Sequence, residues 1–445
     1  MSNAPVIKVG IMSGKEIIFT LNQAYQDPAH WLFPEGKYSA ILTGRKVLLS
    51  GIIGDIAVES GFRLLPSDPD AGSFTLHQVT IGIDFHWEKK EDQVFKGSLQ
   101  FVVADEGITV INILSVEDYL MSVISSEMNA NSSAELLLAH AVISRSWLLV
   151  QIDSSISGRP AGKHHQMAAG SEDEIIKWYD REDHDHFDVC ADDHCQRYQG
   201  ITRATTARVA EAVQHTRGEV LTYGGRICDA RFSKCCGGMT EQFENVWEPV
   251  HHPYLRQVAD HTGPPEGFEL NLTGESAAAA WIMGNPPAFC NTAERDILQQ
   301  VLNDYDLATH DFYRWHVSYS TEELSKLIRI RTGIDFGTIL DLTPVERGTS
   351  GRIIRLKITG IKKNLTIGKE LEIRKALSRS HLYSSAFVVE KTTRDVDTVF
   401  TLHGAGWGHG VGLCQIGAAV MGELGYSYKD ILTHYFRGTN LERRY

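Results

Sequence analysis

Three groups of side chains in this sequence have types and spacings that could do chemistry. The densest lies between His184 and Cys195, where His184, His186, Cys190, His194 and Cys195 fall within twelve positions. Thiolate together with imidazole selects zinc among the common metals, and four such donors close a tetrahedron. We take His184, Cys190, His194 and Cys195 as the ligand set, with His186 as the substitute. Four protein ligands leave no position for substrate, so the expected role is structural. The spacing matches no standard finger, and the competing reading is a solvated His/Asp-rich loop with two incidental cysteines.

The second group is Glu127 and Arg145, in a segment that reads as two helices with a polar break at Asn129 and Asn131. Ser115 caps the first helix, with Glu117 and Asp118 in its first turn, where the dipole favours negative charge. Ser132 and Glu135 form a capping box for the second. From Leu136 to Ile152 that helix is apolar almost all round, the mark of a buried helix, and Arg145 is its fixed charge. A buried guanidinium needs an acceptor. Glu127, flanked by Ile124 and Met128, poses the mirror problem; apolar surroundings raise a carboxyl pKa, which suits a general acid. The residues alone also allow a structural Glu127–Arg145 ion pair.

The third group comprises Phe232-Ser233-Lys234-Cys235-Cys236-Gly237-Gly238, delivered by a hairpin turning at Gly224-Gly225, and the glycine-rich block His403–Ala418. Glycines at this density permit left-handed backbone and close approach to a ligand. A nucleotide loop is excluded: His409 occupies the position of a required glycine, and no Lys-Ser/Thr follows. Cys235-Cys236 reads as packing, since neighbouring cysteines rarely reach disulfide geometry.

The run Glu117–Trp147 resembles the signature of the stage II sporulation protein D family (SpoIID/LytB): an "EdYL…V…sEM" helix, then an "AQAvaaRTy"-like helix, here Ala139–Trp147. The segments 232–241, 350–356 and 403–418 are similar to further motifs of that family in the same order, with Cys414 in place of the usual serine and Phe232 where a tyrosine is common. The resemblance covers about 93–258 and 315–440. It implies a lytic transglycosylase on peptidoglycan glycan strands, with Glu127 as catalytic acid. Arg145 then lines the groove, and Lys234 and Phe232 face substrate. Trp407 stacks on a sugar, while His409 and Gln415 bond to hydroxyl or acetamido groups. Some relatives bind zinc with His and Cys ligands at the place of the 184–195 cluster. Others are amidase enhancers, so a glycan-binding module with an amidase partner is the second reading. A zinc hydrolase centred on 184–195 is the third.

The surrounding elements fit an α+β protein: a β-rich N-terminal part and a mixed α/β catalytic core with a central buried helix pair. We divide the chain into a β-rich region at 1–92, a first core part at 93–258, an insertion at 259–314 and a second core part at 315–445. The net charge of −13 argues against nucleic acid as a partner. Seven cysteines over this length do not read as a disulfide framework. No apolar run suggests a transmembrane segment. The family's substrate implies the cell envelope, whereas the N-terminus lacks the pattern of a secretory signal; a cytoplasmic enzyme acting on muropeptide fragments stays open. Zinc is the expected cofactor, with none required for catalysis.

Overall fold

The computed structural model describes residues 4–82, 88–104, 107–129, 132–152, 168–171, 173–178, 184–192, 195–202, 206–301, 312–394 and 397–445. They form an α+β structure. Two compact units interleave along the chain: the first takes residues 1–161, 183–222 and 441–445, the second 162–182 and 223–440. The β-rich region and the helix pair, expected as separate divisions, thus lie in one unit.

In the first unit, Val6–Gly14 pairs antiparallel with Gly107–Ser115 and parallel with Val189–Cys190 inside a seven-stranded sheet. A six-stranded antiparallel sheet stands beside it. Its strand Glu16–Leu21 alternates so that Ile17, Phe19 and Leu21 are buried, as a half-buried strand should. The Phe19 ring meets Phe101 of the seven-stranded sheet at 5.2 Å between centroids, tying the two sheets together. Ile108–Leu114 is buried without alternation, because this strand is covered on both faces, one of them by helix α1 (Val116–Glu127).

Helix α1 starts as its sequence dictates, with Ser115 Oγ accepting from the Asp118 N–H at 3.1 Å. Helix α2 (Ala134–Ile152) is long and apolar enough to cross a membrane, yet 83% of that stretch is buried inside the protein, so it is a core helix. Its start differs from the expected box: Ser133 Oγ accepts from the Leu136 N–H, while Ser132 Oγ donates to the Asn129 carbonyl. Helix α3 (Ala207–His215) packs against both.

Arg145 finds its acceptor on α1, and the acceptor is Glu117 rather than Glu127. Nε and Nη2 form a fork on the Glu117 carboxylate at 3.0 and 2.7 Å. The remaining donors reach the carbonyls of Ala141, Val213 and Glu219 and the Thr216 hydroxyl. Glu117 Oε1 also accepts from the Tyr445 hydroxyl at 2.7 Å and the Gly218 N–H at 3.3 Å. Arg145 is 0% exposed and no N–H is left for a saccharide, so it is a structural residue and not the groove residue that was expected.

The second unit holds a five-stranded sheet and a three-stranded antiparallel sheet of Arg314–Ser320, Asp397–Ala405 and Phe387–Arg394. Their core gathers Trp315, Leu324, Ile328, Leu356, Phe387 and Phe400. The helix Thr321–Thr332 opens with the predicted Ser320/Glu323 capping box and closes at Gly333, whose φ of 72° is left-handed.

Arg145→Ala strands a buried carboxylate, so it is expected to lower unfolding free energy by about 3–5 kcal/mol. The double replacement Glu117→Gln/Arg145→Met should cost less than the single one. Denaturant titration checks this, and a double variant no more stable than Arg145→Ala would contradict it.

Candidate functional site

Glu127 is the last residue of α1 and is half-buried. Its Oε1 accepts from the Arg197 backbone N–H at 3.1 Å. Among the described residues no side-chain cation pairs with it, so the ion pair with Arg145 does not form. Two carboxylates ten positions apart on one helix therefore differ in commitment: Glu117 is enclosed in hydrogen bonds, and Glu127 carries one.

The segment that supplies this bond is the one rich in histidine and cysteine. Tyr198 stacks on Tyr119 of α1 at 5.0 Å and 17°, and its hydroxyl donates to Asn112 Oδ1 at 2.5 Å. The Gln199 N–H donates to Ser122 Oγ at 3.2 Å. Residues 197–199 thus grip α1 at Glu127, Tyr119 and Ser122 in succession. Burial, then charge at Cys195 and Cys190, pushes the Tyr119 phenol well up.

Of the proposed zinc ligands, His184, Cys190 and Cys195 converge, with one donor atom of each lying within 4.8 Å of the others. His184 Nε2 is 3.7 Å from Cys195 Sγ, and the Cys190 N–H points at that sulfur at 3.4 Å. Two thiols and an imidazole are a donor set that zinc fits. His194 lies outside the described residues. His186 is exposed and outside the cluster, so His184 is the histidine placed for a metal. A metal here would draw in the ends of the segment that carries Arg197–Gln199, and so hold the α1 terminus.

In the second unit the two other motif segments fold onto each other. Phe232 and Ser233 pair with Leu413 and Cys414, and Cys235 exchanges backbone bonds with Trp407 at 3.0 and 2.7 Å. The spacing of the glycines follows from this knot. Gly406, Gly408, Gly410 and Gly412 all have φ between 75° and 93°. A Cβ on Gly410 would sit 2.3 Å from the Arg352 guanidinium carbon. Arg352 is buried and donates to the carbonyls of Cys236, Met239 and Gly408 and to the Ser350 hydroxyl.

This arrangement changes the expected contacts. Gln415 is 1% exposed and opens the helix Gln415–Glu423, so it is an interior residue. His409 Nδ1 accepts from the Val411 N–H at 3.0 Å. Burial, with Arg231 and Arg352, pushes its pKa well below the usual histidine value, so the ring is neutral and Nε2 carries the proton. Its bonds order the loop. Trp407 is half-buried, stacked on Phe312 at 4.8 Å with Tyr383 against its edge. Lys234 Nζ donates to the Val301 carbonyl at 2.6 Å, and Phe232 is half-buried.

Residues 104–223 match the stage II sporulation protein (SpoIID) family. Residues 241–412 match a domain of unknown function (DUF8618). An uncharacterized protein of Brachyspira hyodysenteriae is 26% identical over 347 residues, 78% of this chain and 72% of its own. The amidase enhancer of Bacillus subtilis is 26% identical over 243 residues, 52% of this chain but 32% of that longer protein. Stage II sporulation protein D of Bacillus amyloliquefaciens is 23% identical over 328 residues, 74% of each. The SpoIID match contains α1, α2 and the 184–199 segment, so the acid and its supports lie inside it.

Sequence reasoning missed Glu117 and Arg352 as organising residues. Glu117 was legible only as dipole complement, and Arg352 stood in a motif without a partner to explain it. Cys195→Ser, or chelation, is expected to raise amide exchange at Arg197, Tyr198 and Gln199 at least tenfold while amides of the six-stranded sheet keep their protection. Unchanged exchange at these three amides would show that no metal braces them.

Proposed function

We propose that the chain serves a cell-wall role, cleaving peptidoglycan glycan strands as a lytic transglycosylase with Glu127 as general acid and then base. The observation that carries this reading is the state of Glu127: a carboxyl group at a helix end, fixed by one backbone bond and paired with no cation among the described residues. A proton-transfer group needs that combination of fixed position and spare valence. Protonated Glu127 donates to the glycosidic oxygen leaving MurNAc. The sugar's own C6 hydroxyl attacks C1 and passes its proton to the Glu127 carboxylate, leaving a 1,6-anhydro end. One carboxyl group suffices, where ordinary glycosidases need a flanking pair.

The second reading is a module that grips glycan and assists an amidase without cutting. It is favoured by the fate of three expected sugar contacts, since Gln415 and Arg145 are interior and Trp407 is stacked on Phe312. It also agrees with the match to an amidase enhancer. Muropeptide fragments would undergo the same chemistry as intact strands.

Mass spectrometry of products from stripped glycan strands separates the two. The lytic reading expects 1,6-anhydroMurNAc ends, falling about 10²–10⁴-fold in Glu127→Gln. Binding without new ends, unaltered by Glu127→Gln, would leave only the assisting module.

A further inference from the structure

A second cluster of side chains of a kind that could hold a metal lies in the second unit. Cys236, Asp260, Cys290 and Cys414 come from four separate places in the sequence and converge in the interior. One donor atom of each lies within 4.8 Å of all the others. None is more than 2% exposed, at 2, 0, 1 and 0% respectively. Cys236 Sγ and Cys290 Sγ are 3.7 Å apart. That is far beyond a disulfide bond of about 2.05 Å. It is close to the edge of a tetrahedron with zinc–sulfur bonds of about 2.3 Å, roughly 3.8 Å.

The surroundings are those of a ligand sphere. Asp260 Oδ1 accepts from the Tyr435 hydroxyl at 2.5 Å and Oδ2 from the Cys290 N–H at 2.8 Å, which fixes the carboxylate as outer partners fix ligating groups. The Cys236 N–H donates to Cys414 Sγ at 3.2 Å. A Cβ on Gly417 would fall 2.3 Å from the Tyr435 oxygen and 2.5 Å from Asp260 Oδ1, so glycine lets this packing close. Burying a carboxylate beside three thiols is costly without a cation, and a divalent metal offsets that cost.

We propose that Cys236, Asp260, Cys290 and Cys414 form a structural zinc site. Three thiolates and one carboxylate close the tetrahedron, so no position remains for substrate or water. Binding releases the thiol protons and involves no change of oxidation state. The site joins the Lys234–Gly238 turn, the start of the helix Gln415–Glu423 and two positions of the 259–314 region. That region is therefore wired into the core of its unit. The expected packing role of Cys235-Cys236 gives way, at Cys236, to ligation.

Zinc content of the full chain, purified under reducing conditions, tests this by inductively coupled plasma mass spectrometry. The double variant Cys190→Ser/Cys195→Ser removes the other candidate site. It should keep one equivalent, and cobalt(II) loaded in its place should give the strong thiolate charge-transfer absorption of a sulfur-rich tetrahedral site. Adding Cys290→Ser should abolish both signals. If the double variant does not fold, the wild type decides: two equivalents, one of them lost in Cys290→Ser, support the site. A folded double variant with no metal and no cobalt uptake overturns it. So does a wild-type content of one equivalent that survives Cys290→Ser, or a Cys236–Cys290 disulfide in non-reduced peptide maps.

Discussion

One fork of hydrogen bonds, Arg145 on Glu117, sets the geometry of the first unit. Helix α2 is apolar enough that a guanidinium on it must be fully neutralised where it lies. The partner that meets this demand is in the first turn of α1, and the same carboxylate also takes the Tyr445 hydroxyl and the Gly218 N–H. The pair orients α1 against α2 and draws Tyr445 onto the same core. Its desolvation cost makes it a poor source of net stability, but its geometry is specific: a slip of one helix along the other would leave two buried charges unmet.

Fixing one end of α1 makes the other end useful. The helix is twelve residues long, about 18 Å at 1.5 Å per residue, and its far terminus carries Glu127. There the 197–199 segment supplies backbone N–H groups and a stacked tyrosine. The histidine and cysteines just before it are drawn together at Cys195. Glu127 is therefore held from two directions, by core packing behind and by the 197–199 segment alongside. Positioning of this kind is what proton transfer requires, since displacement by an ångström can cost orders of magnitude in rate.

Local patterns were legible in the sequence, and pairings were not. The Ser115 cap, the Ser320/Glu323 box, the Gly333 stop and the buried character of α2 all rest on neighbours a few residues apart. The cysteine and histidine cluster was legible for the same reason. By contrast, the partner expected for Arg145 was Glu127, and nothing local in the sequence pointed to Glu117 instead. The glycine-rich block looked like a ligand cradle because many left-handed positions are needed whenever backbone approaches something closely. What approaches at Gly410 is the Arg352 guanidinium, more than fifty positions away in the chain. Long-range partners of this kind leave only half of themselves in any one motif.

The different commitments of Glu117 and Glu127 also follow from where each stands on α1. Ten residues at about 100° each leave the two side chains roughly 80° apart around the α1 axis. Glu117 points where α2 and the chain terminus close over it. Glu127 is turned from that face and lies at the helix end, where no later turn of the same helix covers it. A proton-transfer group in the place of Glu117 would be locked in the fork with Arg145. The helix accommodates a carboxylate enclosed in hydrogen bonds and one left largely uncommitted because it separates them by both length and angle.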